Sequence, residues 1–337
     1  MITLGLTCIS EELKEKDKKK YSFQTMTRKR FNDLCVRDGI DETIKELSSR
    51  ILHNVRATRY IIRHCINNNI LHYRLSSALF PLITDEKTEV TFDDLPDKNL
   101  IQEELAFAGK IAKDFNISIG SHPDQFNVLA SLNRDAVTRT INELNFQASV
   151  LDMLGLPQDH TAPMNIHINY NPKEGEHWQV VATRFFRNLS MCDKGVYKRL
   201  TIENEDKGFF NVDNCIEFSD YLFKTFGAMI PVCYDNLHDY CNPSEFGISV
   251  AYNAERCAYT WVKQTEKLHL DEDNFIAPVF HWSEGTPEKP RSHAEYFALG
   301  NTPPHIAIEP NKEAKWECEV KGKDKAIRLL RKDLINA

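Results

Sequence analysis

The chain has 337 residues, of which 42% are apolar, and a mean hydropathy of −0.45. That is material for a large core, yet no run approaches the roughly 20 apolar residues that cross a bilayer. Forty-nine acidic and 42 basic side chains leave a net charge of −7, which excludes a uniformly basic polyanion binder. Basic residues cluster instead, at Lys14–Lys20 (KEKDKKK) and Arg28–Arg30, as a solvated face or a phosphate-contacting loop. The nine cysteines are odd in number and form no CxxC pair, so reduced thiols in an intracellular compartment are expected rather than a disulfide framework. The N-terminus lacks the basic flank of a secretory signal.

In chain order, eight apolar runs read as buried parallel strands: 2–9, 70–77, 117–123, 163–169, 199–205, 229–235, 275–283 and 315–320. Segments 41–69, 100–115, 135–156 and 211–226 place apolar residues three and four apart, which predicts helices between them. Stretches 10–40 and 84–99 read as extra loop material, and 305–310 (HIAIEP) competes for the place of last strand. Eight strand–helix units predict a single α/β domain over 1–337, a (β/α)₈ barrel whose strand ends converge on one mouth.

Eight metal-type ligands fall at or just after the strand-like runs: His122, His167, Glu203, Asp235, His238, His281, His293 and Glu319. Imidazoles with carboxylates suit a hydrolytic site for Mn²⁺, Zn²⁺ or Fe²⁺, whereas structural zinc favours paired cysteines. Such clusters activate water and stabilise the attacking and leaving oxygens at phosphorus. A carboxylate within an apolar strand, as at Glu203, is costly to bury without a partner.

The motifs SSALFP (76–81), SHPDQF (121–126), NIHI (165–168), IENED (202–206), DNLH (235–238), FHWS (280–283), SHAEYF (292–297) and ECEVKGKDKAI (317–327) resemble the UV damage endonucleases, in order and over most of the chain. The resemblance implies a TIM barrel related to endonuclease IV, with two or three divalent ions, manganese first and zinc or iron as alternatives. It implies a damaged double-stranded DNA substrate, nicked 5′ of UV photoproducts and some abasic sites. By the same resemblance His122 and His167 hold one ion, and Glu203 bridges it to a second completed by Asp235, His281 and Glu319. His238 and His293 hold a third. Glu203, Asp235, His281 and Glu319 form the catalytic set, with Glu309 as the alternative to Glu319. Gln125 and Phe126 correspond to the pair that probes the lesion, and Lys321 joins the DNA-facing set.

Departures from the family pattern are Leu6 for a Tyr, Ser10 for an Asn, Asp85 for a His, Phe126 for a Tyr, and Val279 for a Lys that serves as a metal ligand. Leu6, Ser10 and Asp85 are therefore expected to reshape the lesion pocket, and Val279 to weaken the third ion. A metal-dependent sugar isomerase or epimerase on the same barrel is the rival enzyme, and a non-catalytic lesion-binding protein the rival binder. The protein is expected to be a monomer with no membrane association, located in the cytoplasm or nucleoid, or in the nucleus of a eukaryote.

Overall fold

Period-two alternation of side chains lets a short β-branched and aromatic run bury both faces of a strand, one in a barrel and one under helices. The computed structural model, which describes residues 2–267, 276–309 and 312–336, has eight such strands. They are β1 (Thr3–Thr7), β2 (His72–Leu75), β3 (Ser118–Ser121), β4 (Met164–His167), β5 (Leu200–Glu203), β6 (Val232–Cys233), β7 (Val279–Ser283) and β8 (Lys315–Glu319). They pair in parallel in the order β6-β5-β4-β3-β2-β1-β8-β7. A parallel bridge between Asp235 and His281 joins the two ends, with the His281 N–H donating to the Tyr234 carbonyl at 2.8 Å. The result is the expected α/β TIM barrel.

Each predicted strand is present but shorter than its apolar run, and residue 275 of the seventh run lies outside the described residues. Residues Ala307–Glu309 pair antiparallel with Lys312–Glu313 away from the barrel, so Lys315–Glu319 is the last barrel strand. The Glu309 side chain lies outside the described residues. The four predicted helices form as Ile40–Asn67, Lys98–Asp114, Arg134–Met153 and Val212–Phe226. Stretch 10–40 corrects the expected loop. Ser10, Asp17 and Thr27 cap the helices Glu11–Lys16, Lys18–Tyr21 and Arg28–Asp38 by accepting from backbone N–H groups in the first turn. The lysine-rich run is thus an exposed helical surface. Stretch 84–99 is irregular apart from one 3₁₀ turn, Phe92–Asp94, and the start of the helix at Lys98.

Between strands and helices lies an apolar layer that includes Leu4, Leu6, Tyr73, Ile119, Ile166, Ile202, Phe280 and Trp316, all at most 2% exposed. Inside the barrel one level is polar. Gly5, His72 and Glu317 share a register row, and a Cβ on Gly5 would stand 2.8 Å from His72 Cδ2, so the missing side chain makes room for the imidazole. All nine cysteines are free thiols, as expected. Among the described residues no helix is long and apolar enough to cross a membrane.

The chain's two ends are clasped near Asp324, at the start of the last helix, Lys323–Asn336. Its carboxylate accepts from His64 Nε2 at 2.8 Å, from the Glu11 N–H at 2.9 Å, and from Ser10 Oγ. Burial alone would raise this carboxyl, but the bonds from His64 and Ser10 outweigh it and hold the pKa below the ordinary aspartate value. A depressed folded-state pKa contributes stability above the unfolded value, about 3.9, and loses it as pH falls through the folded one. Asp324→Asn is therefore expected to cost about 2 kcal/mol in urea denaturation at pH 7. The gap to the parent protein should narrow as pH falls through the depressed folded-state pKa; a gap that does not change with acidification would contradict the assignment.

Candidate metal centre

Parallel strands deliver their C-terminal ends to one face, and the expected ligand residues occupy those ends. His167, Glu203 and Glu319 are the last residues of β4, β5 and β8; His122 follows β3 directly and Asp235 stands two residues past β6. Glu203 is the hub. Its carboxylate is 1% exposed, with His122 Nε2 at 3.1 Å and His167 Nε2 at 3.8 Å from Oε2, and His238 Nδ1 at 3.0 Å and His281 Nδ1 at 3.1 Å from Oε1. Asn165 Nδ2 donates to Oε2 and fixes the carboxylate plane. His281 Nδ1 also lies 3.7 Å from Asp235 and 3.8 Å from Glu319. Asp235 is oriented by the N–H groups of Leu237 and His238 and by Ser283 Oγ, at 2.7, 2.8 and 2.9 Å.

Three groups that could hold an ion meet at this mouth, each with donor atoms within 4.8 Å of one another: His122–Glu203–His281, His167–Glu203–His238 and Asp235–His281–Glu319; a fourth, Glu12–His64–Asp324, lies at the start of the last helix. Asp235–His281–Glu319 is the expected second-ion set. The expected first-ion partners His122 and His167 both face Glu203 Oε2, with ring centroids 5.4 Å apart, while His122 also stands beside His281 and His167 beside His238. His238 and His293, expected to share an ion, stand on elements that pack together, the helix Asn236–Cys241 and the ribbon strand Lys289–His293. His293 is 38% exposed on the ribbon after β7 and approaches Glu319 only at 3.8 Å. Val279 is the first residue of β7, buried at 5% exposure, and offers no donor.

The electrostatics fit cations. Burial would raise Glu203, but the charges of His281 and His167, with hydrogen bonds from His122 and His238, hold its carboxyl well below the usual range. Burial would lower His238 and His281, yet Asp235 and Glu203 push the first, and Cys233, Glu203 and Glu319 the second, well above an ordinary imidazole. Burial takes His167 down to about 4, leaving it a neutral donor. The Cys233 thiol is pushed up to about 12 by burial and stays protonated, so the donor set is imidazole and carboxylate. His281 Nδ1 is buried without a hydrogen bond despite its close carboxylates. A nitrogen aimed among carboxylates but out of line for hydrogen bonding is what a shared divalent ion would satisfy.

Sequence reasoning missed the groups beneath the ligands. Arg74 of β2 pairs with Glu317 at 2.9 Å and with Glu319, while Glu317 also meets His72 at 2.8 Å and His281 at 3.2 Å. The available signal was KWECE, where Glu317 and Glu319 alternate onto one strand face.

The expected DNA-facing residues separate into two groups. Leu6 is corrected: it is fully buried, in the register row of Tyr73 and Cys318 under the helices, because alternation turns it away from the mouth. Ser10 is corrected too, being the buried helix cap bonded to Asp324. Asp85 lies outside the ligand sets and forms a two-pronged ion pair with Arg28 at 2.7 and 2.9 Å. It borders a cleft of about 820 Å³ that Phe126 also lines. Gln125 and Phe126 sit on the loop after β3, and Phe126 is 78% exposed rather than packed inward. Asn169 Nδ2, in the next loop, donates to the Gln125 carbonyl and steadies the turn. Lys321 is exposed beside His293 and Glu319.

With this geometry in place, the family model described as UV-endonuclease UvdE matches residues 2–337. The chain belongs to that family. It is 29% identical over 334 residues to a UV DNA damage endonuclease of Nostoc sp., covering 97% of this chain and 89% of the relative. Identity to the UV DNA damage endonuclease of Bacillus cereus strain G9842 is 26% over 311 residues, covering 91% and 87%. The crystal structure of SacUVDE superposes with a TM-score of 0.73 at 25% identity, covering 98% of this chain and 99% of that one. Endonuclease IV from Thermus thermophilus shares the fold, with a TM-score of 0.52 at 13% identity over 83% of this chain and 95% of its own.

Proposed function

We propose that this UvdE-family chain is a metal-dependent DNA repair endonuclease that hydrolyses the phosphodiester 5′ of damaged nucleotides. The observation that carries the reading is Glu203, a buried carboxylate shared by four imidazoles at the open end of a barrel. His122, His167, Glu203, Asp235, His238, His281 and Glu319 would hold two divalent ions, manganese first. Bound there, the ions would supply an activated water and charge stabilisation for the departing oxygen. The protein's share is orientation. Asn165 and Ser283 lock Glu203 and Asp235, and Asn204 O accepts from His238 Nδ1 at 2.9 Å, so the ligands converge without searching rotamers. His293 belongs to the rim in this reading. The whole of 1–337 acts as one unit, a monomer on damaged duplex DNA within the cell.

Gln125 and Phe126 would enter the duplex at the lesion, where damage has already weakened stacking. Base–aromatic stacking is worth about 1–3 kcal/mol. Phe126→Ala is therefore expected to weaken binding to damaged duplex by roughly ten- to a hundredfold. Because the ring is 78% exposed, melting temperature and metal content should stay put. A drop in metal content would count against the probing role. Since Leu6 and Ser10 face away from the mouth, lesion choice rests on Phe126, Gln125 and the cleft shared with Asp85.

The test is incubation with Mn²⁺ and end-labelled duplexes carrying a pyrimidine dimer, an abasic site or no damage. A nick on the 5′ side of the dimer supports the proposal as stated. Nicking at the abasic site alone narrows the lesion class, and intact duplexes from metal-loaded protein overturn the proposal.

A further inference from the structure

Holding ions accounts for Glu203, Asp235, His281 and Glu319, but it uses only part of Arg74. That side chain is 10% exposed, and its Nη1 alone serves Glu317 and Glu319, lying also 3.4 Å from His281 Nε2. Its Nε is buried without a partner, and Nη2 makes no hydrogen bond among the described residues. One edge of the guanidinium is therefore anchored and the other idle. An unpaired buried donor is costly, an arrangement that makes sense when an acceptor arrives with a ligand.

Arg74 borders a cleft of about 600 Å³ whose walls include Arg291, His293, Glu319, Lys321 and Lys323. The carboxylates on these walls are already engaged, Glu11 by Lys14 at 2.9 Å and Glu319 by Arg74. Lys323 adopts φ +49°, a left-handed conformation that is strained for a non-glycine residue. The turn that imposes it is pinned by the N–H groups of Lys321 and Gly322, which donate to Ala294 and Glu295 carbonyls at 2.9 and 2.8 Å. A Cβ on Gly322 would meet the Glu295 carbonyl at 2.7 Å. Strain held by such pinning, beside an idle guanidinium edge, places two lysines at one wall of an acidic site.

We infer that this cleft is a phosphate-binding site in which the idle edge of Arg74 grips a non-bridging oxygen of the phosphodiester lying against Glu319. Lys321 and Lys323 hold the neighbouring backbone phosphate. Arginine fits because its planar fork presents two parallel donors to a phosphate, whereas lysine offers a point charge. The inference rests on the nuclease reading for its substrate, while its chemistry also accepts free inorganic phosphate.

The test uses the full chain and two variants. Arg74→Lys keeps a cation between Glu317 and Glu319. The double variant Lys321→Gln with Lys323→Gly leaves the Arg74 ion pairs in place and relieves the positive φ, while giving up the 3.0 Å bond from Lys323 Nζ to Thr7 Oγ1, so it tests the cleft independently of Arg74. Inorganic phosphate is titrated into metal-free protein by calorimetry, with the arginine side-chain N–H signals followed by NMR. Mn²⁺ stoichiometry, duplex affinity against salt, and cleavage are measured alongside. Arg74→Lys should weaken phosphate binding about tenfold, keep Mn²⁺ stoichiometry, and lower kcat by about 10²–10³-fold. The double variant should lower the salt slope of duplex binding by about two.

Unchanged phosphate affinity in Arg74→Lys, or lost Mn²⁺ with phosphate binding intact, reduces Arg74 to a strut and overturns the inference. An unchanged salt slope removes the lysines from it. Arg74-dependent phosphate binding in a protein that nicks no duplex keeps the cleft and sinks the nuclease reading. Normal nicking by Arg74→Lys does the reverse.

Discussion

Glu203→Gln is expected to abolish cleavage of damaged duplex, by on the order of 10³-fold or more, since it removes the group common to two ligand sets. Glutamine keeps the size of the side chain and its hydrogen bond to Asn165, but its amide has one neutral oxygen where the carboxylate offers two charged ones. The imidazoles of His122, His167, His238 and His281 lose the anion they surround, so Mn²⁺ binding weakens with the activity. Far-UV circular dichroism should be unchanged, because β5 is held by its apolar neighbours Leu200 and Ile202. Cleavage at the parental rate by a Mn²⁺-loaded Glu203→Gln protein would remove Glu203 from the centre of the site.

Arg199→Met is expected to be the most destabilising single change, at about 3–5 kcal/mol. Arg199 is fully buried just before β5, and its guanidinium donates to the carbonyls of Pro157 and Leu156, both at 2.9 Å, and of Ala148 at 3.3 Å. It also pairs with Asp152 at 2.7 Å. Leu156 and Pro157 lie in the segment beyond helix Arg134–Met153, where carbonyls have no helical partner, while Ala148 lies within the helix. Methionine fills much of the volume but supplies no donor, so the Leu156 and Pro157 carbonyls are left unsatisfied and Asp152 loses its cation. Denaturant titration measures the loss. Since Arg199 precedes β5 while the ligands follow the strands, Mn²⁺ bound per folded molecule should not change.

The barrel was legible because its signal is local: eight apolar runs of strand length alternate with amphipathic helices, and buried parallel strands cannot be polar on the helix side. The positions of His167, Glu203 and Glu319 were legible for the same reason, as polar residues where an apolar run stops. The helices at 11–38 were not read, because their stretch is highly charged, and only the caps Ser10, Asp17 and Thr27 announced them. Leu6 and Ser10 were assigned to the lesion pocket on resemblance. Which face of a strand points inward depends on the register of its neighbours, and that is set by partners far along the chain.

By itself the sequence determined the eight strands, the chemistry of the donors and their arrival at one end of the sheet, since period and composition are properties of neighbouring residues. Only the tertiary structure decided how the donors are shared. Arg74 meets Glu317 across 243 positions of chain, and His122 meets Glu203 across 81. Those pairings and the idle edge of Arg74 arise when the barrel closes through Asp235 and His281. Closure brings charges into a low-dielectric interior where each must find a partner, and the shape of the closed barrel selects which one.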